Sequence, residues 1–217
     1  MKDLIIIGAG GFAREVAWLV EDINLEKRCW NLIGYVDEDP AKQDLIVNNV
    51  PVLGSFGQLK GAARKAAAVC AVGNPCSKYD LILKGNEIGL KYVNLIHPNV
   101  RISQYVKMGL GNIVCAGNIL TVNIDMGNHV ILNLDCTVGH DVVIGDYCTI
   151  LPSVNLSGNS TLKEGCLIGT NAAIIEGVSV GEWSIIGAGA VLTKDIPARC
   201  TAVGVPAKVI KFHQREE

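Results

Sequence analysis

The sequence predicts a two-part chain, with a small parallel α/β domain over residues 1–95 and an all-β domain, a parallel β-helix, over residues 96–217. Three observations predict it. Large aliphatic residues recur every six positions through the second half. In the first half a buried-strand run ends in a glycine loop and passes into an apolar face at helical spacing. Strand and helix signals then alternate up to the start of the repeat.

The repeat is the strongest signal. Stepping by six from Ile96 gives Ile102, Met108, Val114, Leu120 and so on to Ile186 and Leu192, seventeen marks that are all large aliphatics. Average composition would supply about one such residue in three. Glycine follows the mark at Gly109, Gly127, Gly139, Gly145, Gly169, Gly181 and Gly187. Small or β-branched residues stand four after it, as at Val142, Cys148, Ser160 and Ala172. Six is a multiple of the strand period and not of 3.6, so a helix would smear these aliphatics around its surface. One short strand per six residues, turning after each, winds into a β-helix with aliphatic ladders inside and glycines expected to relieve the corners.

The first half reads differently. Leu4–Ile7 is a strand, and Phe12, Val16, Leu19, Val20 and Ile23 share one helical face after it. Further strands are expected at Leu32–Val36 and Ala67–Val72, a helix from Cys76 to Ile88, and a strand at Tyr92–Ile96. This is about half of a dinucleotide-binding fold, hence Rossmann-like. Gly8 to Ala13 fits G-x-G-x-x-A between strand and helix, where free N–H groups favour a phosphate; a tight turn needs the same glycines. Asp37 and Glu38, ending the second strand, suit hydrogen bonds to a nucleotide or a solvated turn.

The formal charge of −2 offers no broad basic field for nucleic acid. Apolar runs are too short to span a bilayer. The eight cysteines include no C-x-x-C pair, so no metal site is expected. They read as reduced, mostly buried side chains of a cytoplasmic protein. Cys136 and Cys148 could carry an acyl group, but their places in the repeat fit packing.

Several segments carry a family resemblance: Ile5-Ile6-Ile7-Gly8-Ala9-Gly10-Gly11, Tyr35-Val36-Asp37-Glu38, Ala71-Val72-Gly73-Asn74, Asn94-Leu95-Ile96-His97-Pro98, Val138-Gly139-His140-Asp141, Val143-Ile144-Gly145-Asp146 and Gly204-Val205-Pro206-Ala207-Lys208. Together they resemble the left-handed β-helix, or hexapeptide-repeat, acyltransferases. Within them the chain looks like the sialic acid and bacillosamine type of sugar O- or N-acetyltransferase. The resemblance implies left-handed coils of eighteen residues, a homotrimer, acetyl-CoA as co-substrate and a nucleotide-sugar acceptor.

It also assigns residues. His140 matches the general base, and Asp141 the acid that modulates it. Gly158, one coil along, matches the glycine whose N–H receives the oxyanion. Gly10, Gly11, Asp37, Glu38 and Gly73 match nucleotide-binding positions. Thr149, Thr170 and Ala188 match positions along the acetyl-CoA groove. Some relatives have histidine where Thr149 stands, and also at Phe12, the sugar-phosphate position. The residues themselves add a reason for His140: a carboxylate beside an imidazole favours the imidazolium formed when it takes a proton.

The expected reaction moves acetyl from acetyl-CoA to an amine or hydroxyl of a sugar, a nucleotide-linked 4-amino sugar first. O-acetylation of sialic acid or serine is the nearest alternative. A NAD-dependent oxidoreductase or a non-catalytic scaffold would be of another class. For the trimer, outward aliphatics are expected among Ile113, Ile119, Ile124, Val143, Ile175, Ile185 and Val191.

Overall fold

The computed structural model describes residues 1–61 and 63–213. The chain divides into two compact units, one spanning Met1–Pro98 and the other beginning at Asn99.

In the first unit, β1 (Lys2–Ile7) leads through the glycine loop into α1 (Gly11–Glu26), then β2 (Trp30–Val36). A hairpin of β3 (Ile46–Val47) and β4 (Val50–Pro51) follows, in a stretch where sequence patterning had indicated no element. Next come β5 (Ala67–Cys70), α2 (Pro75–Glu87) and β6 (Lys91–Tyr92). The sheet is parallel, in the order β2-β1-β5-β6. Leu4, Ile5, Ile6 and Ile7 of central β1 are at most 1% exposed, each worth about 1.5–3 kcal/mol of burial. From α1, Val16, Leu19 and Val20 are buried as their spacing predicts; Ala13 and Ala17 share that face, and Phe12 and Ile23 are half-buried at its margin.

Polar side chains close the connections. Asn24 accepts from the N–H groups of Cys29 and Trp30, both at 3.0 Å, and donates to the Trp30 carbonyl at 2.8 Å, securing the turn from α1 to β2. Asn74 caps α2 by accepting from the Ser77 N–H, with Pro75 next in the first helical position.

The second unit is a parallel β-helix of two-residue strands. Each pairs with the strand eighteen residues on, as in Ile119↔Thr137, Thr137↔Asn155 and Asn155↔Ala173. Three stacked sheets form the faces of a triangular prism. From Val114 to Leu192 every aliphatic mark is at most 2% exposed. The first coil departs from the expectation: Ile102 is 40% exposed and Met108 half-buried, because its sheets end there. The inward positions four after the marks, Val142, Cys148, Val154, Ser160, Cys166 and Ala172, are fully buried.

Glycine does relieve corners, at Gly111, Gly117, Gly165, Gly177 and Gly189, but the glycines directly after the marks do something else. The left-handed corners fall three residues after each mark, at Asn123 (φ 57°), His129 (56°), Asp135 (56°), Asp141 (58°), Tyr147 (59°) and onward. Asn and Asp tolerate this region best among residues with a Cβ. The glycines directly after the marks instead permit close stacking: a Cβ on Gly139 would lie 2.7 Å from the Gly158 nitrogen, and one on Gly145 2.7 Å from the Glu164 nitrogen. The final strand pair, Cys200–Val203 with Lys208–Phe212, is antiparallel. Among the described residues no helix is long and apolar enough to cross a membrane.

Candidate active site

The eighteen-residue register stacks equivalent positions into columns along three prism edges. One edge carries Val122, His140, Gly158 and Glu176, two residues after the marks of one face. His140 leaves the strand Thr137–Val138, and Asp141 turns the left-handed corner behind it. At such a corner neighbouring side chains no longer point to opposite faces, so His140 Nδ1 and Asp141 Oδ2 meet at 2.9 Å. An ionised carboxylate only accepts, so Nδ1 carries the hydrogen, and in the neutral ring the lone pair then falls on Nε2. Hydrogen bonds from His140 and then Asn123 hold the Asp141 carboxyl below its usual range. The two side chains are 52% and 46% exposed, so the imidazole is open to a ligand.

The ring lies across Gly158. A Cβ there would stand 2.5 Å from His140 Nε2 and closer still to Cε1. Gly158 is buried; its carbonyl accepts from the Gly177 N–H at 3.0 Å, and its own N–H has no acceptor among the described residues. A buried donor without a partner is rare and fits a group that arrives with the ligand. Beside this edge, on the first two coils, opens a groove of about 440 Å³ lined by Gln104, Tyr105, Lys107, Asn123, Ile124 and Asp125.

Thr170 and Ala188 stack on another edge, both exposed, and Thr149 is buried on the face between Ile131 and Leu167. Up to about 20 Å of extended chain separates successive edges. Within one chain these three positions and His140 do not share a groove.

In the first unit the parallel order β2-β1-β5 brings three strand ends together: Gly8–Gly11 after β1, Asp37–Glu38 after β2 and Gly73 after β5. Gly10 is the extended N-cap of α1 with no side-chain cap bond, and no acidic residue stands in the first turn. Gly10 and Gly11 are exposed there, beside half-buried Phe12. Gly8 needs φ +100°, and a Cβ on it would sit 3.1 Å from Val72 Cγ2. Asp37 is a strut as much as a ligand candidate. Its Oδ2 accepts from the Ala9 N–H at 2.8 Å and Lys42 Nζ at 2.9 Å, and Oδ1 from the Asp39 N–H at 3.0 Å. Burial pushes its pKa up, but these bonds outweigh it and the carboxyl ends below its ordinary range. Glu38 accepts from the Phe56 N–H at 3.0 Å and from Lys84 Nζ at 3.2 Å.

Cys136 and Cys148 are fully buried, and burial pushes the Cys136 thiol up to about 11. The other histidines serve local contacts: His97 with Asp22 at 3.0 Å, His129 stacked on Tyr147, and His213 with Thr201 at 2.9 Å. Sequence reasoning missed Asn123, which donates to Asp141; subtracting the coil length from Asp141 would have found it.

Comparison with known proteins bears on the fold and the family. Residues 3–82 match the family described as PglD N-terminal domain, and residues 159–194 match bacterial transferase hexapeptide (six repeats). The acetyltransferase domain of PglB from Neisseria gonorrhoeae, solved with acetyl coenzyme A, is 31% identical, covering 96% of this chain and 99% of that one at a TM-score of 0.84. PerB from Caulobacter crescentus, solved with CoA and GDP-perosamine, is 30% identical over 97% and 98% of the two chains, TM-score 0.84. WeeI from Acinetobacter baumannii is 29% identical over 97% and 100%, TM-score 0.87. A curated Schizosaccharomyces pombe protein provisionally named an acetyltransferase is 61% identical over 36 residues, 17% of this chain and 17% of its own length.

Proposed function

The chain belongs to the left-handed β-helix, hexapeptide-repeat sugar acetyltransferases, and from that premise we propose that it transfers acetyl from acetyl-CoA to the amine of a nucleotide-linked amino sugar, with His140 as general base. The observation that carries this reading is His140 held by Asp141 at 2.9 Å above Gly158, whose N–H has no acceptor among the described residues.

The chemistry follows from that arrangement. The acceptor nitrogen attacks the thioester carbonyl carbon, and its proton passes to His140 Nε2. Asp141 stabilises the imidazolium. Negative charge on the carbonyl oxygen is received by the Gly158 N–H. The carbon–sulfur bond then breaks, and the imidazolium returns its proton to the departing CoA thiolate. No covalent enzyme intermediate is required, since a positioned amine attacks directly. The groove beside Asn123 suits a sugar ring, with amides, a carboxylate, a lysine and the Tyr105 face around it. Within the first unit, exposed Gly10 and Gly11 at the start of α1 suit a phosphate. GDP-perosamine, seen with PerB, is the first acceptor to assay.

The working unit in this reading is a homotrimer. Thr170 and Ala188 stand on a different edge from His140, so a groove with all three needs a second copy. Ile119, Val143 and Ile175 are 38%, 45% and 42% exposed, outward aliphatics spread over two faces that closed symmetry can cover. Ile113 and Ile124, expected with them, are buried within the chain.

The test is His140→Ala assayed with acetyl-CoA and GDP-perosamine. Loss of about a hundredfold or more in turnover is expected from a folded variant. Turnover near that of the parent enzyme overturns the assignment of the base.

A further inference from the structure

Asp141 stands at an exposed left-handed corner, and its side chain has several staggered orientations open to it. Only those that bring an oxygen to His140 Nδ1 serve the base. One coil earlier, Asn123 occupies the same corner at φ 57°, against 58° for Asp141. Its Nδ2 donates to Asp141 Oδ1 at 3.2 Å, while Oδ2 faces His140. The carboxylate is therefore held at both oxygens. One coil later, Asn159 has the same corner geometry but donates to Glu176 at 3.4 Å.

We propose that Asn123 is a positioning residue for the transfer: it holds Asp141 Oδ1 so that Oδ2 stays on His140 Nδ1, which puts the neutral ring's lone pair at Nε2 above Gly158. This rests on the reading of His140 as base. Asparagine suits the post on two counts. It tolerates the left-handed backbone, and its amide donates without adding charge. Aspartate would tolerate the corner equally but would set a second carboxylate against Asp141. The other ionisable groups on the adjoining coils of this edge, among the described residues, are Tyr105, Lys107 and Asp125 toward the groove, and Glu176 beyond Gly158. Among the described residues, the side-chain hydrogen bonds that perturb Asp141 are those from His140 and Asn123.

The experiment compares Asn123→Gly, Asn123→Asp and His140→Ala by kcat, KM for acetyl-CoA and the pH–rate profile. Glycine removes the amide and accepts the left-handed corner, so the fold is kept. A net hydrogen bond worth about 0.5–1.5 kcal/mol predicts a fall in kcat of about 2–12-fold for Asn123→Gly, with KM for acetyl-CoA unchanged. Asn123→Asp is expected to fall further and to move the acid limb to higher pH, because a second carboxylate favours the protonated ring. A merely structural role would lower thermal stability without moving that limb, and an unmoved limb in a folded Asn123→Asp overturns the proposal. Inactive His140→Ala beside parent-like Asn123 variants removes Asn123 alone. Active His140→Ala removes the base reading itself.

Discussion

His140 lies flat against the backbone of Gly158, so close that a methyl group on Gly158 would meet ring atoms Cε1, Nε2 and Nδ1. The contact is possible because the coil register places residues eighteen apart directly above one another. An exposed imidazole and a backbone N–H without an acceptor among the described residues thus share one strand spacing, about 4.8 Å.

Gly158→Ala is expected to separate activity from stability. The new Cβ meets the end of a side chain, which can swing aside, so the melting temperature should move little. The ring then leaves its place, and turnover should fall by about tenfold or more. Steady-state kinetics beside a thermal melt checks this; unchanged turnover would mean that the ring contact is incidental.

Gly139→Ala should behave in the opposite order. Its Cβ would meet the Gly158 nitrogen at 2.7 Å and the Ser157 carbonyl carbon at 3.0 Å, and backbone does not swing aside. A loss of about 1–3 kcal/mol is expected from overpacking between coils. At about 2–4 °C per kcal/mol for a chain of this size, calorimetry resolves it.

Asp37 yields a pH prediction. Its native carboxyl is held below the ordinary range, so the bonds it accepts stabilise the fold above about pH 4, the unfolded value, and this contribution is lost as pH falls through the lower native value. Asp37→Asn should be less stable than the parent near neutrality, by about 1–3 kcal/mol for charged hydrogen bonds lost. The gap should close in acid. Denaturant melts from pH 7 to pH 3 measure it, and a gap that stays constant with pH refutes the charge as its source.

Assembly is tested by mass. Sedimentation equilibrium at micromolar concentration should return three times the 23.1 kDa chain. Ile175→Asp, at an outward aliphatic 42% exposed, should dissociate the trimer and reduce activity together. A monomer with full activity overturns both the assembly and the shared groove.

The hexad ladder could be read directly because burial in a β-helix repeats with the chain's own period. Marks from Val114 to Ile186 are inside because each has paired backbone above and below, and the sequence alone determined that. The alternation of strand and helix up to Glu87 was legible for the same reason, since apolar spacing differs between the two. His140, Asp141 and Gly158 could be singled out from a short motif and one addition of eighteen.

The tertiary structure decided what depends on backbone conformation and on approach between coils. Periodicity marks glycine as special without saying why; only the coordinates show that Gly139 permits stacking while Asp141 and Asn123 turn the corners. A carboxylate's identity likewise does not reveal its partners. Asp37 reads in sequence as a nucleotide contact or a solvated turn carboxylate, and in the fold it braces Ala9 and Lys42. Asn123 has no motif of its own, because its role comes from lying one coil below Asp141, a contact that exists only once the helix has wound.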